Sequence, residues 1–284
     1  EHPETLVVMN NLSQVLGDLG RYEEGEKLAR KVLEVYREIF DAEHPKVANA
    51  TANLATFLFR RGDMPAAETM FREALRLVQA RSDPDSPAVL MAKHNLAASI
   101  VDPARREEAL QLRREVAEAR ARGLGDKHPD TLESRNGVAA ALRELDRLDE
   151  SEALYRQVLA SRREVLGDDH PSTLVTSENL AGVLLAKKDF VGSEAMTRAV
   201  LDARRKVLGE DHPDVAKTLI NLAIVQRARG DTAGGLQTIE DALPRCRAGF
   251  GDDHPNVITC LRTKGDLLTD AKRYPEAITV YGEA

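Results

Sequence analysis

The side chains in this sequence best suited to chemistry are histidines, carboxylates and asparagines, and their spacing limits what each group can do. Six of the seven histidines are His2, His44, His128, His170, His212 and His254; each is followed by Pro, and Ser86-Pro87 fills the one gap in the series. Every interval in the filled series is 42 residues. Histidines that far apart in a regular repeat sit in successive loops and cannot converge on one ion. They read as packing or loop residues, with at most a weak pH dependence of stability. Cys246 and Cys260 are too few for a disulfide framework and lack metal-ligand spacing, so both read as reduced, small hydrophobes. No phosphate loop, dinucleotide fingerprint, zinc-protease helix or nucleophile elbow is present. Carboxylates are abundant but follow helix surfaces and turns. The expectation is a chain that is not an enzyme, with no catalytic residue, metal site or cofactor.

Asparagine is the more informative residue. Asn11, Asn53, Asn95, Asn179 and Asn221 recur in the same register, with Gly137 and Thr263 interrupting the ladder. Asn is a mediocre helix former, so its return at a mid-helix position needs a reason. Its amide offers both a donor and an acceptor. Two uses are open: gripping the backbone of a bound segment, or bonding to the neighbouring repeat. The arginines from Arg105 to Arg122, interleaved with Glu107, Glu108, Glu115 and Glu118, read instead as a solvated helix face.

The elements that position these residues follow from the same period. In the unit opened by His170-Pro171, the apolar or small residues Leu174, Leu180, Ala181 and Leu184 recur at helical spacing. A polar turn near Lys187 to Asp189 leads to a second amphipathic run carrying Phe190, Met196, Val200 and Leu201. Pro suits the first helical position, and Gly125, Gly167, Gly209 and Gly251 suit the helix terminus. One site is Leu or Val (Leu12, Leu54, Leu96, Val138, Leu180, Leu222) and the next is always small (Ser13, Ala55, Ala97, Ala139, Ala181, Ala223, Gly265). A second small site runs through Gly25, Ala67, Ala109, Ser151, Ser193, Gly235 and Ala277. Small residues let helices approach closely, and such pairs bury their apolar faces only by stacking on their neighbours. The fold expected is an all-α, right-handed superhelical solenoid of seven antiparallel helix pairs, a single domain over 1–284. Its repeats are 2–43, 44–85, 86–127, 128–169, 170–211, 212–253 and an incomplete 254–284. In repeat six, Gly234, Gly235 and Pro244 predict a kinked or short second helix.

Composition narrows the function class. Charged residues make up 31% of the 284 and aromatics 4%, with no Trp, so small and aliphatic side chains do the packing. A net charge of -7 with both signs interspersed offers no footprint for nucleic acid. No apolar run is long enough to span a bilayer and no signal peptide opens the chain, so no membrane insertion is expected and the cytoplasm is the expected location. The chain begins without Met and stops inside a periodic segment, so it is expected to be a piece of a longer protein.

Asn-Leu-Ala in the first helix, the turn Gly20-Arg21-Tyr22, the small residue that follows, and Leu-Gly-Asp-Asp-His-Pro between units together resemble tetratricopeptide repeats of the 42-residue, kinesin-light-chain-like type. The resemblance implies a scaffold that binds a protein or peptide in a concave groove built mainly from the first helix of each pair. It puts the asparagine ladder on the groove wall, joined by Asn10, Phe59, Arg60, Met91, His94, Asn136, Arg143, Lys217, Ile224 and Arg227. It also suggests the partner-recognition or sensor part of a larger signalling protein. The alternative is a structural spacer or self-assembly scaffold with an empty groove; the oligomeric state is open.

Overall fold

The computed structural model describes residues 3–284; His2, the first of the histidine series, lies outside them. Among the described residues there are fourteen α-helices and no strand. They run α1 (Pro3–Asp18), α2 (Tyr22–Ile39), α3 (Pro45–Arg60), α4 (Met64–Gln79), α5 (Pro87–Ser99), α6 (Arg106–Leu124) and α7 (Pro129–Glu144). The second half continues with α8 (Leu148–Leu166), α9 (Pro171–Ala186), α10 (Phe190–Leu208), α11 (Pro213–Arg229), α12 (Thr232–Phe250), α13 (Pro255–Asp270) and α14 (Tyr274–Gly282). Odd-numbered helices open a repeat and even-numbered ones close it. The turns within a repeat are short, which makes the paired helices antiparallel. α14 is 9 residues long against 19 for α8, α10 and α12.

The chain divides into two compact units, Glu1–Ala141 and Leu142–Ala284, with the boundary inside α7. In the first, Val32, Leu54, Ala55, Phe57, Ala67, Phe71, Val89 and Leu96 share one buried cluster. In the second, Leu201, Leu219, Leu222, Ala223, Ile239, Leu261 and Leu267 share another.

Local chemistry explains where helices start. At His44, His128, His170, His212 and His254 the imidazole Nδ1 accepts a hydrogen bond from the backbone N–H two residues on, at 3.1–3.2 Å. The His-Pro pair is thus an N-cap followed by a proline that has no N–H to leave unpaired. Ser86 does the same work in repeat three through Oγ. Asp63, Asp189 and Asp231 cap the second helices.

Two further features set the stacking. A buried or half-buried arginine near the end of one repeat reaches a hydroxyl in the next: Arg120 to Ser134 at 2.8 Å, Arg162 to Thr176 at 2.7 Å and Arg204 to Thr218 at 2.6 Å. A glutamate in the second helix pairs with the base that ends the following first helix, as Glu26 does with Arg61, Glu152 with Lys187 and Glu194 with Arg229. Arg120 therefore departs from the solvated face expected of it.

Repeat six does not have a shortened second helix. α12 runs unbroken from Thr232 to Phe250 and is as long as α10. Pro244 stands on its exposed face, where water can take over the lost backbone bond. Gly235 is required by packing: a Cβ there would come within 2.7 Å of Leu267 Cδ2 and 3.4 Å of the Ala223 carbonyl.

Candidate partner-binding clefts

Stacked first helices leave a cleft wherever the side chains between them are short. In the second unit Gly182 of α9 lies beside such a cleft and leaves room for the guanidinium of Arg143 from α7, which a Cβ there would meet at 2.8 Å. The cleft holds about 310 Å³. Arg143, Glu178, Asn179, Leu185, Lys217, Asn221 and Ile224 line it, with Ala181, Ser193, Thr197 and Val225 behind them.

The polar groups of this cleft differ in how they are committed. Glu178 is tied down: Arg204 contacts both its oxygens, at 3.2 and 2.9 Å, and the Asn221 amide donates to Oε1 at 2.7 Å. The side chains of Arg143, Asn179 and Lys217, by contrast, have no hydrogen-bond or ion-pair partner among the described residues. With the one acid neutralised by Arg204, two free cations and one free amide face a floor of Leu185 and Ile224. Such a site suits a segment carrying a carboxylate beside an aliphatic group.

The first unit has two smaller clefts at equivalent places. One, of about 210 Å³, is lined by His94 and Ala98 of α5, Arg113, Val116 and Arg120 of α6, and Glu133, Ser134 and Gly137 of α7. Its walls strip water from His94, and Arg120 and Arg113 repel the charged imidazole; both effects hold its pKa below the ordinary histidine range. The other, of about 90 Å³, lies among Gln14, Gly17, Asp18, Asn53, Thr56, Phe57 and Arg60.

The residues nominated from sequence divide by environment. Arg143, Asn179, Lys217, Asn221 and Ile224 come together in the large cleft. His94 lines the middle one, and Asn53 and Arg60 the smallest. Asn95 is half-buried, while Met91 and Asn11 are exposed on their helices, and none of the three lines any of these three clefts. Phe59 turns away, packing edge-on to Phe71 at 6.5 Å against the core. Arg227 is held by Asp266 and Asp270, at 2.6 and 2.7 Å. Asn136 is buried, only 7% exposed.

The asparagine ladder is tied to neighbouring repeats at some of its members and not at others. Asn53 donates to Oδ1 of Asn10 at 2.9 Å, and Asn221 donates to Glu178, in each case 43 residues back on the preceding first helix. Asn95 and Asn179 make no such bond. Sequence reasoning did not nominate Arg113, Arg120 or Arg204. The return of Arg120 and Arg204, with Arg162 between them, at one place in the second helix was an available signal, whereas Arg113 has no basic counterpart in the other repeats; a charge stripe on an amphipathic helix hides which members face inward. Among the described residues no group of His, Cys, Asp or Glu is arranged to hold a metal ion, and no helix is long and apolar enough to cross a membrane.

Two family models described as tetratricopeptide repeat match the chain, one over 4–78, 47–101 and 174–234, the other over 89–130, 131–172 and 215–256. Solved structures agree in fold. The nearly identical TPR-like repeats of a Podosopora anserina protein described as a kinesin light chain are 23% identical, cover 73% of this chain and 99% of their own, and superpose with a TM-score of 0.67. The apo form of the quorum sensor NprR from B. thuringiensis is 14% identical over 98% of this chain and 74% of its own, with a TM-score of 0.75. A Signal Transduction ATPase with Numerous Domains from Pyrococcus horikoshii, which carries a tetratricopeptide repeat sensor, is 10% identical, with 98% of this chain and 42% of that one covered at a TM-score of 0.70. At such identities the likeness is one of fold. No curated protein sequence matches the chain.

Proposed function

The chain belongs to the tetratricopeptide repeat family, and from that premise we propose that it is a protein-interaction module whose second unit holds a peptide or protein segment in the cleft between α9 and α11. One observation carries this reading. Arg143, Asn179 and Lys217 stand in a cleft of about 310 Å³ without an intrachain partner, beside the apolar Leu185 and Ile224. Polar groups used for stacking are satisfied by neighbouring repeats, as Asn53 and Asn221 are; these three are not.

The segment is extended or helical. It presents a carboxylate to Arg143 and Lys217, a main-chain amide or carbonyl to Asn179, and an aliphatic side chain to Leu185 and Ile224. In the cell the module serves as the recognition or sensor part of a larger cytoplasmic signalling protein. The likeness to NprR, a quorum sensor, and to a signalling ATPase with a repeat sensor supports that placement. Binding, not turnover, is its activity.

The test is selection from a random peptide library on the wild-type chain and on an Arg143→Glu, Lys217→Glu variant of confirmed helicity. Acidic sequences with a neighbouring aliphatic residue are expected on the wild type and not on the variant. Equal enrichment on both, or none on the wild type, overturns the reading.

A further inference from the structure

The middle cleft of the first unit repeats, two repeats earlier, the polar architecture of the α9–α11 cleft with one part missing. In the second unit Arg204 of α10 is anchored to α11 by the Asp214 carbonyl at 3.4 Å and the Thr218 hydroxyl at 2.6 Å. The rest of its guanidinium faces the Glu178 carboxylate, at 2.9 and 3.2 Å. Arg120 of α6 is anchored to α7 in the same way, by the Asp130 carbonyl at 3.4 Å and the Ser134 hydroxyl at 2.8 Å. There the match stops. His94 stands in the place of Glu178, and Gly137 in the place of Asn221, whose amide also donates to that carboxylate. Both bonds of Arg120 use Nη1, so its Nη2 and Nε have no acceptor among the described residues.

The gap has the chemistry of an anion site. The arginine recurs as Arg120, Arg162 and Arg204, and the residue 26 positions before it is His94, Asn136 or Glu178; His94 alone brings no side-chain oxygen. A Cβ on Gly137 would meet nothing within 4 Å, so the room taken by the Asn221 side chain in the second unit is open here. Arg113, where the second unit has Thr197, adds a second cation whose one hydrogen bond is a 3.5 Å contact with the Ala97 carbonyl. Glu133 is the one acid in the lining, and neither arginine pairs with it. Burial first, then repulsion by Arg120 and Arg113, lowers the pKa of His94. The positive charge of both arginines is thus felt where the second unit has its carboxylate.

We propose that the cleft among α5, α6 and α7 is a receptor for a single carboxylate, which takes up the place of Glu178 and binds Arg120 and Arg113 beside His94. The second unit is its template: there the arginine holds an acid supplied by the chain, and here it holds one supplied by a ligand. The carboxylate accepts charge-assisted hydrogen bonds from guanidinium N–H groups in a cleft of about 210 Å³. It comes from an acidic side chain of a protein segment or from a free small carboxylic acid, and the experiment separates these two sources. Every residue of the site belongs to the first unit, so it stands whether or not the α9–α11 cleft binds a peptide.

The test is titration of the wild-type chain with acetyl-Ala-Glu-Ala-amide, its Gln analogue, acetate and inorganic phosphate at matched ionic strength, followed by NMR at two backbone amides. Gly137 reports this cleft, and Gly182 reports the cleft of the second unit. The glutamate peptide should move Gly137 along a saturating curve, and the glutamine peptide should not. Acetate that binds as tightly as the glutamate peptide assigns the site to a free acid; acetate that binds more weakly assigns it to a protein segment. A glutamate peptide that moves Gly137 no more than the glutamine peptide does overturns the proposal, whatever happens at Gly182. Saturation by phosphate alone overturns it in favour of a phosphate site. Arg120→Gln should weaken the peptide about tenfold or more. Because Arg120 also holds Ser134, Arg113→Gln repeats the test on a chain that keeps that bond. His94→Glu supplies the carboxylate from within, as Glu178 does, so the peptide should no longer bind while the melting temperature stays at or above that of the wild type. Unchanged binding in His94→Glu, or in both arginine variants, overturns the proposal.

Discussion

The Nδ1 atoms of His44, His128, His170, His212 and His254 accept backbone N–H groups that would otherwise be unpaired at a helix start. The histidine series is therefore a set of caps, and Ser86 shows that a hydroxyl can do the same. His170→Ala should lower unfolding free energy by about 1 kcal/mol, while His170→Asn should retain most of the stability; chemical denaturation of both variants checks the pair. Glu26 supplies a pH dependence. Burial alone would raise its pKa, but hydrogen bonds from Arg30 and Arg61 outweigh that and hold it below the ordinary glutamate value of 4.5. A carboxylate depressed in the fold contributes stability that is complete above the unfolded pKa and is lost as pH falls through the folded one. Thermal melts of the wild type should accordingly show a decline below pH 4.5 that Glu26→Gln reduces. None of this was visible in spacing alone. His-Pro at a fixed interval marks a helix start, but which ring nitrogen is used, and for what, depends on the backbone turn.

At the scale of the element, most of the fold was legible because one periodicity fixes three things together: the apolar face, the small contact sites and the proline at each start. The helix bounds at Pro45, Pro87, Pro129, Pro171, Pro213 and Pro255 follow from it directly. What was not legible is how tightly each helix is approached by the next. Gly234, Gly235 and Pro244 argue by propensity for a weak α12, yet Gly235 is the point where Leu267 of α13 packs closest. Propensity alone predicts that Gly235→Ala stabilises the chain by about 1 kcal/mol. Packing predicts the opposite, because Leu267 is fully buried and the Ala223 carbonyl closes the other side. Gly235→Ala should cost about 1–2 kcal/mol in equilibrium unfolding. The paired control is Gly234→Ala, whose nearest neighbour would be the capping Asp231 carboxylate.

At the scale of the molecule, a repeat protein makes its sites between units of sequence that are far apart. Asn221 is committed because Glu178 lies 43 residues before it, and Glu178 is neutral to a ligand because Arg204 lies 26 residues after it. In the first unit His94 takes the place of Glu178, and Arg120 that of Arg204, so the same position becomes more positive. A ladder read down one helix face therefore gives the register of these residues but cannot divide those used for stacking from those left open. Asn179 was indistinguishable from Asn53 in sequence; only the neighbours separate them.

The central claim is that the open groups of the α9–α11 cleft engage a partner. The measurement that addresses it most directly is the affinity of a library-selected acidic peptide for the wild-type chain and for Asn179→Ala, by titration calorimetry at fixed salt. The account predicts that affinity falls about tenfold, the equivalent of about 1.4 kcal/mol, with helicity and melting unchanged. An affinity unmoved by Asn179→Ala, from a chain that still binds the peptide, would contradict it.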